Sequence, residues 1–155
     1  MKRIVGGMLI VAVSVAPILF VPVAKHGMPV VHAQSGCGVA TLAGNYAFIQ
    51  PSGFIAPGHS VTGAEVPWQA IGVLTFDGTG NFSANYTAVV NGAVFTSQPA
   101  SGPYTINSDC TGSLTFMSGS AAGYAANLVL VGGGTEIFGI ATGQGDTAAW
   151  DAKRQ

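Results

Sequence analysis

Three turn signatures constrain this chain more than any other feature. Asp77-Gly78-Thr79-Gly80, Asn91-Gly92 and Asp109-Cys110-Thr111-Gly112 cut it into short segments in which apolar and polar residues alternate. Asn-Gly is a strong two-residue hairpin signal, because both central positions of the favoured turn need φ > 0. In each Asp-x-Thr-Gly turn the Asp side chain can accept backbone N–H bonds, and the closing Gly can take a left-handed conformation. No segment after Gln34 carries a convincing 3.6-residue amphipathic period, so the chain reads as all-β.

Alternation places a first strand near 44–50, then a loop over 51–67 that holds Pro51, Gly53, Pro57, Gly58 and Pro67. Further strands are expected at 68–76, 81–90, 93–98, 103–107, 113–117, 124–131, 135–141 and 147–153. Short strands joined by sequential hairpins point to a small closed antiparallel up-and-down β-barrel of about eight strands, with a β-sandwich as the alternative. Closure also removes sheet edges that a chain with only 7% charged residues has few means to guard. The 23 glycines are about twice the usual share of ~7% and leave room for an interior cavity.

Lys2 and Arg3 precede an apolar run from Ile4 to Val23, interrupted by Pro17 and Pro22 and followed by Lys25 and His26. A charged stretch before an apolar one is the pattern of an export signal. Val31-His32-Ala33 supplies the small residues of a cleavage site, so residues 1–33 are expected to be a signal peptide cut between Ala33 and Gln34. Residues 34–155 are then a single exported domain, periplasmic or extracellular, with no membrane span. The alternatives are an uncleaved anchor, since about 20 apolar residues can cross a bilayer, and a lipoprotein attached at Cys37, which follows Ser35-Gly36. In an oxidising compartment Cys37 and Cys110 most simply form one structural disulfide. The long loop it closes corresponds to about 4 kcal/mol in the chain-entropy model. The wide spacing and the lack of a C-x-x-C pair argue against a redox role.

The same residues exclude several chemistries. No basic patch exists for nucleic acid. Beyond residue 33 there is a single histidine, His59, and bridged cysteines leave no thiolate, so neither a metal nor a cofactor is expected. Asp77, Thr79 and Asn81 alternate oxygens as a calcium loop does, but Phe82 stands where that loop needs Gly and no bidentate Glu follows. No G-x-S-x-G elbow is present, and no catalytic residue is assigned. His59 and Glu65 share the 51–67 loop and are the best acid/base pair available, read first as solvated loop residues. Glu136 lies on the strand face of Phe138 and Ile140. Pointing inward it would be a buried acid in contact with a ligand; pointing outward it is an ordinary exposed charge. Asp151 and Arg154 could pair with it or with each other, a role that is usually structural.

The strings GVLTFDGTGNFSANYT (72–87), YTINSDCTGSLTF (104–116) and AKRQ (152–155) resemble those of a group of small exported bacterial proteins without an assigned activity. The likeness covers about residues 40–155 and implies no functional residues. By shape the strand pattern is similar to calycin-like barrels, the architecture of lipocalins and of allene oxide cyclase. Where lipocalins carry G-x-W near the first strand, this chain has Gly44-Asn45-Tyr46.

These readings lead to an exported, non-enzymatic β-barrel that binds a small apolar molecule in its interior. The face formed by Tyr46, Phe48, Leu74, Phe76, Phe82, Tyr86, Tyr104, Leu114 and Phe116, with Glu136, is the expected lining. The 51–67 loop, with Phe54, Ile55 and His59, would cover one mouth. The alternatives are a packed barrel or sandwich that serves as a surface interaction module through an exposed apolar patch, and a cyclase- or isomerase-like enzyme built around a buried Glu136.

Overall fold

The structure, a computed structural model, describes residues 36–57, 63–143 and 145–155. The expected signal peptide, its cleavage point and His59 lie outside the described residues. A short 3-10 helix, Val39–Leu42, leads into nine strands: β1 (Gly44–Ile55), β2 (Val66–Phe76), β3 (Asn81–Val90), β4 (Ala93–Ile106), β5 (Thr111–Thr115), β6 (Ser118–Gly119), β7 (Ala125–Val131), β8 (Glu136–Ala141) and β9 (Thr147–Arg154). Every pairing is antiparallel. Each long strand pairs with the next, β5 pairs with β7, and β9 returns to β1. Eight strands, all but β6, thus close into an up-and-down barrel rather than a sandwich, and β6 is a two-residue addition to β4.

The hairpins form where their turn chemistry places them. Asn91 (φ 47°) and Gly92 (φ 82°) both take positive φ between β3 and β4. At the β2–β3 turn the Asp77 carboxylate accepts the Thr79 N–H (2.7 Å), the Thr79 hydroxyl (2.7 Å), the Asn81 N–H (2.9 Å) and the Asn81 amide (3.1 Å). Its oxygens are engaged by its own turn. Asp109 repeats the device on Thr111. The Thr79 hydroxyl and the Asn81 and Thr79 backbone N–H groups hold Asp77 well below the usual carboxylate range. Thr111, through its hydroxyl and then its N–H, lowers Asp109 in the same direction. A lowered folded-state pKa means stability present above the ordinary value of 3.8 and lost as pH falls toward the folded one. The Tm difference between the natural chain and Asp77→Ala is therefore expected to be largest above pH ~4 and to shrink on acidification. A pH-independent difference in thermal melts would contradict this.

Two expected breaks are absent. The first strand continues past residue 50 to Ile55 and the second begins at Val66, so strands take up both ends of the expected 51–67 loop. A β-bulge makes this possible: Gln50 faces Ala70 and Phe54 faces Pro67, with one extra residue on β1. Pro51 sits at the bulge, where its missing N–H interrupts no regular ladder. The segments expected at 93–98 and 103–107 are one strand, β4. The Tyr104 N–H donates to Gly80 O, so the even-numbered residues there carry the ladder to β3. Pro99 and Pro103 fall on the odd positions, exposed, and leave that ladder intact.

The expected inward face is the inward face. Tyr46, Leu74, Phe76, Phe82, Tyr86, Tyr104, Leu114 and Phe116 are buried, and half-buried Phe48 packs against them. Their rings form an edge-to-face series, with centroids 5.4 Å apart for Tyr46–Phe76, 5.0 Å for Phe76–Tyr104 and 4.9 Å for Phe82–Phe116. At Gly139 a ring takes the space that the missing side chain leaves. A Cβ on Gly139 would lie 2.1 Å from the Trp150 indole, which crosses that glycine from the neighbouring strand.

The 3-10 helix closes one end of the barrel. Leu42 is fully buried there, and the Cys37–Cys110 disulfide ties the helix to the β4–β5 turn. The Tyr104 hydroxyl donates to Val39 O (2.7 Å), and Arg154 donates to Thr41 O (2.6 Å) and to the Tyr46 hydroxyl (2.6 Å). Arg154 also lies over the Tyr46 ring, 5.3 Å from its centroid.

Candidate functional site

Among the described residues the opposite end is open. β5 stops at Thr115 while β4 extends far beyond it, so the chain crosses 116–124 without a full strand beside the first half of β4. That gap leaves a cleft of about 410 Å³. Its walls are the end of β1 (Ile55), the start of β2 (Val66, Trp68), the end of β3 (Tyr86, Ala88, Val90), the start of β4 (Ala93, Phe95, Gln98), the 120–124 turn and Asp146. The volume falls in the range of small-molecule sites, about 300–1,000 Å³. Alanines 88, 93, 121 and 122 make the room. Asp146 braces the rim by accepting the Ala56 N–H (2.8 Å).

Beneath the cleft lies a void of about 30 Å³, bordered by Phe48, Gln50, Trp68, Leu74, Tyr86, Leu114, Phe116, Tyr124 and Trp150 among others. Trp68, Tyr86, Ala121 and Tyr124 border both spaces. Three polar atoms here are shielded from solvent and have no hydrogen-bond partner: Gln50 Nε2, Trp68 Nε1 and the Tyr124 hydroxyl. An unmade bond at a buried donor costs about 1–3 kcal/mol. Burial pushes the Tyr124 phenol up to about 12; the Trp150 indole beside it works in the opposite direction without reaching good hydrogen-bond geometry. Burial likewise raises Tyr86, whose hydroxyl pairs with Ser120 Oγ at 2.9 Å. Gly53 lets the Trp68 indole lie against β1, since a Cβ there would sit 3.0 Å from Trp68 Nε1 and 2.4 Å from Thr147 O.

The expected lining residues divide between the two ends. Phe48, Leu74, Tyr86, Leu114 and Phe116 border the small void, and Tyr86 also borders the cleft. Tyr46, Phe76, Phe82 and Tyr104 pack into the core and border neither space. The interior is filled with rings, and a space large enough for a ligand lies at the mouth. Glu136 does not join the lining. Ile137, its neighbour, is the inward residue of β8, and Glu136 shares the outer face with exposed Phe138 and Ile140. It pairs with Lys153 (3.3 Å) rather than with Arg154, whose guanidinium is committed to the capped end. Glu65 is exposed, and Phe54, expected at the mouth, points outward while Ile55 reaches the cleft.

Gln50, Trp68 and Tyr124 were not expected as site residues. Gln50 had a signal: it continues the inward alternation of Tyr46 and Phe48 and is polar. On the outer surface, Ile71, Ile49, Asp151, Phe138 and Val129 fall on one lateral row across β2, β1, β9, β8 and β7, four of them exposed apolar residues. Among the described residues no helix is long and apolar enough to cross a membrane. Comparison of the chain with protein-family models, with curated proteins and with solved structures finds no match.

Proposed function

We propose that this protein is an exported small β-barrel of calycin-like shape that binds a small apolar molecule at its open mouth. The carrying observation is the cleft of about 410 Å³, walled mainly by aliphatic and aromatic side chains at the end opposite the helix cap. Among the described residues the barrel is closed at one end by the helix and open at the other, which supports a binding site at that mouth. Export is supported by the Cys37–Cys110 disulfide, which is favoured in oxidising compartments, together with the signal-like residues 1–33.

The test is native mass spectrometry of the protein purified from an exporting host, repeated after denaturation. A bound mass that is lost on denaturation is the expected result. A bare mass in the native spectrum would favour a second reading, an interaction module, which the exposed row Ile71, Ile49, Phe138 and Val129 supports. The cyclase-like alternative loses its acid, because Glu136 faces outward.

A further inference from the structure

We infer that the mouth takes its apolar ligand as a short extended peptide, which adds a strand to the unpaired edge of β4 and turns alternate apolar side chains into the cleft. The inference rests on the mouth-binding reading and names the class of ligand. The edge follows from the hairpin. The Asn91 N–H donates to Pro67 O on β2, so its neighbour Val90 directs its own backbone groups to β4, where it faces Ala93. Ala88 faces Phe95 in the same way. Ala93 and Phe95 therefore bond to β3, and the Val94 N–H, the Val94 C=O and the Thr96 N–H point to the other side. Among the described residues no strand pairs with that side of β4 before Ala100, which meets Gly119 of β6. The Thr96 C=O is already taken, by the Gln98 side-chain amide at 2.8 Å.

The cleft lies along this edge. Ala93 and Phe95 on β4, and Ser120, Ala121 and Ala122 in the nearby turn, all border that space of about 410 Å³. A peptide residue paired with Val94 turns its side chain outward with Val94, which is 64% exposed. Its two neighbours then point into the cleft, so apolar residues at alternate positions fit. Edges are commonly guarded by charged side chains, yet no charged residue lies between Asp77 and Asp109. The bulge at Ser97 (φ 52°) and Pro99 end the free stretch and limit it to a short partner. A second copy fits less well, because its Phe95 borders its own cleft and leaves this one unfilled. Charge points the same way. Beyond residue 33 the chain has six acids against two cations, and the charged side chain bordering the cleft is Asp146, so the peptide is neutral or basic.

Calorimetric titration of the full chain with the capped peptide acetyl-Thr-Leu-Thr-Leu-Thr-Lys-amide tests this. The peptide is expected to bind and to displace ethylnaphthalene, an apolar probe without a backbone. Two N-methylated forms, at the central Thr and at the Leu after it, locate the backbone bonds. An antiparallel strand sends the first of these amides to Val94 O and the second to solvent; a parallel strand does the reverse. One form is therefore expected to bind about tenfold more weakly than the other, the size of one hydrogen bond. Val94→Pro removes an N–H that the barrel itself does not use, and should weaken the peptide about tenfold while ethylnaphthalene still binds. If that variant fails to fold, the two methylated peptides carry the test on the natural chain. Exchanging the terminal Lys for Glu should weaken binding; a tighter Glu peptide would overturn the neutral-or-basic class. Equal binding of the two methylated forms, or binding of ethylnaphthalene alone, would overturn the inference and leave the mouth site standing. A mass that doubles with concentration in sedimentation, is lost in Val94→Pro and comes without peptide binding would give the edge to a second copy and overturn the peptide. No binding by any probe would count against the mouth reading itself, and the inference would fall with it.

Discussion

Replacing Cys37 and Cys110 together by serine is expected to lower the unfolding free energy by about 4 kcal/mol. The disulfide joins residues 73 apart in sequence and anchors the helix cap to the β4–β5 turn. Most of its effect comes from restricting the unfolded chain, which without the link samples a much larger ensemble. The cap keeps other anchors, namely buried Leu42, the Tyr104–Val39 hydrogen bond and the Arg154–Thr41 hydrogen bond. The folded barrel should therefore persist in the double variant, with its denaturation midpoint moved and its near-UV spectrum retained. Reduction of the natural protein should move the midpoint by the same amount. A midpoint change worth less than about 1 kcal/mol would show that the link constrains little beyond what the anchors already hold.

Trp150→Ala is expected to cost about 3–5 kcal/mol, the usual range for emptying the site of a large buried aromatic. Trp150 is 7% exposed, lies across Gly139 and packs edge-on against Phe48 at 6.5 Å. The partnership has a second signature. Gly139→Ala places a methyl group where the indole now lies, so it should destabilise the natural chain and be nearly harmless once Trp150 is alanine. A double-mutant cycle by denaturant unfolding measures this coupling. Additive costs would mean that the ring does not depend on the bare backbone at Gly139.

Much of the architecture was legible because strand faces and turns are local. Tyr46, Phe48, Leu74, Phe76, Phe82, Tyr86, Tyr104, Leu114 and Phe116 follow from period-two alternation, and all of them point inward or pack on the core. The Asn91-Gly92 hairpin and the Asp77 and Asp109 turns follow from side-chain chemistry within four residues. The site was less legible. Pro51 and Gly53 read as loop residues, yet a bulge carries β1 through them to Ile55. Glu136 could point either way until β8 was paired on both sides, which set Ile137 inward. Abundant glycine suggested hollowness, but at Gly139 it makes room for an indole from the next strand.

By itself, the amino-acid sequence determined the strand period, the turns and the choice of the two cysteines as partners, since each depends on neighbouring residues or on a count. Only the tertiary structure decided that β9 pairs with β1 to close the ring, that the helix seals one end, and that short β5 leaves the other open among the described residues. Those outcomes depend on register between strands far apart in the chain. The position of a cavity is what remains after every long-range pairing has been made.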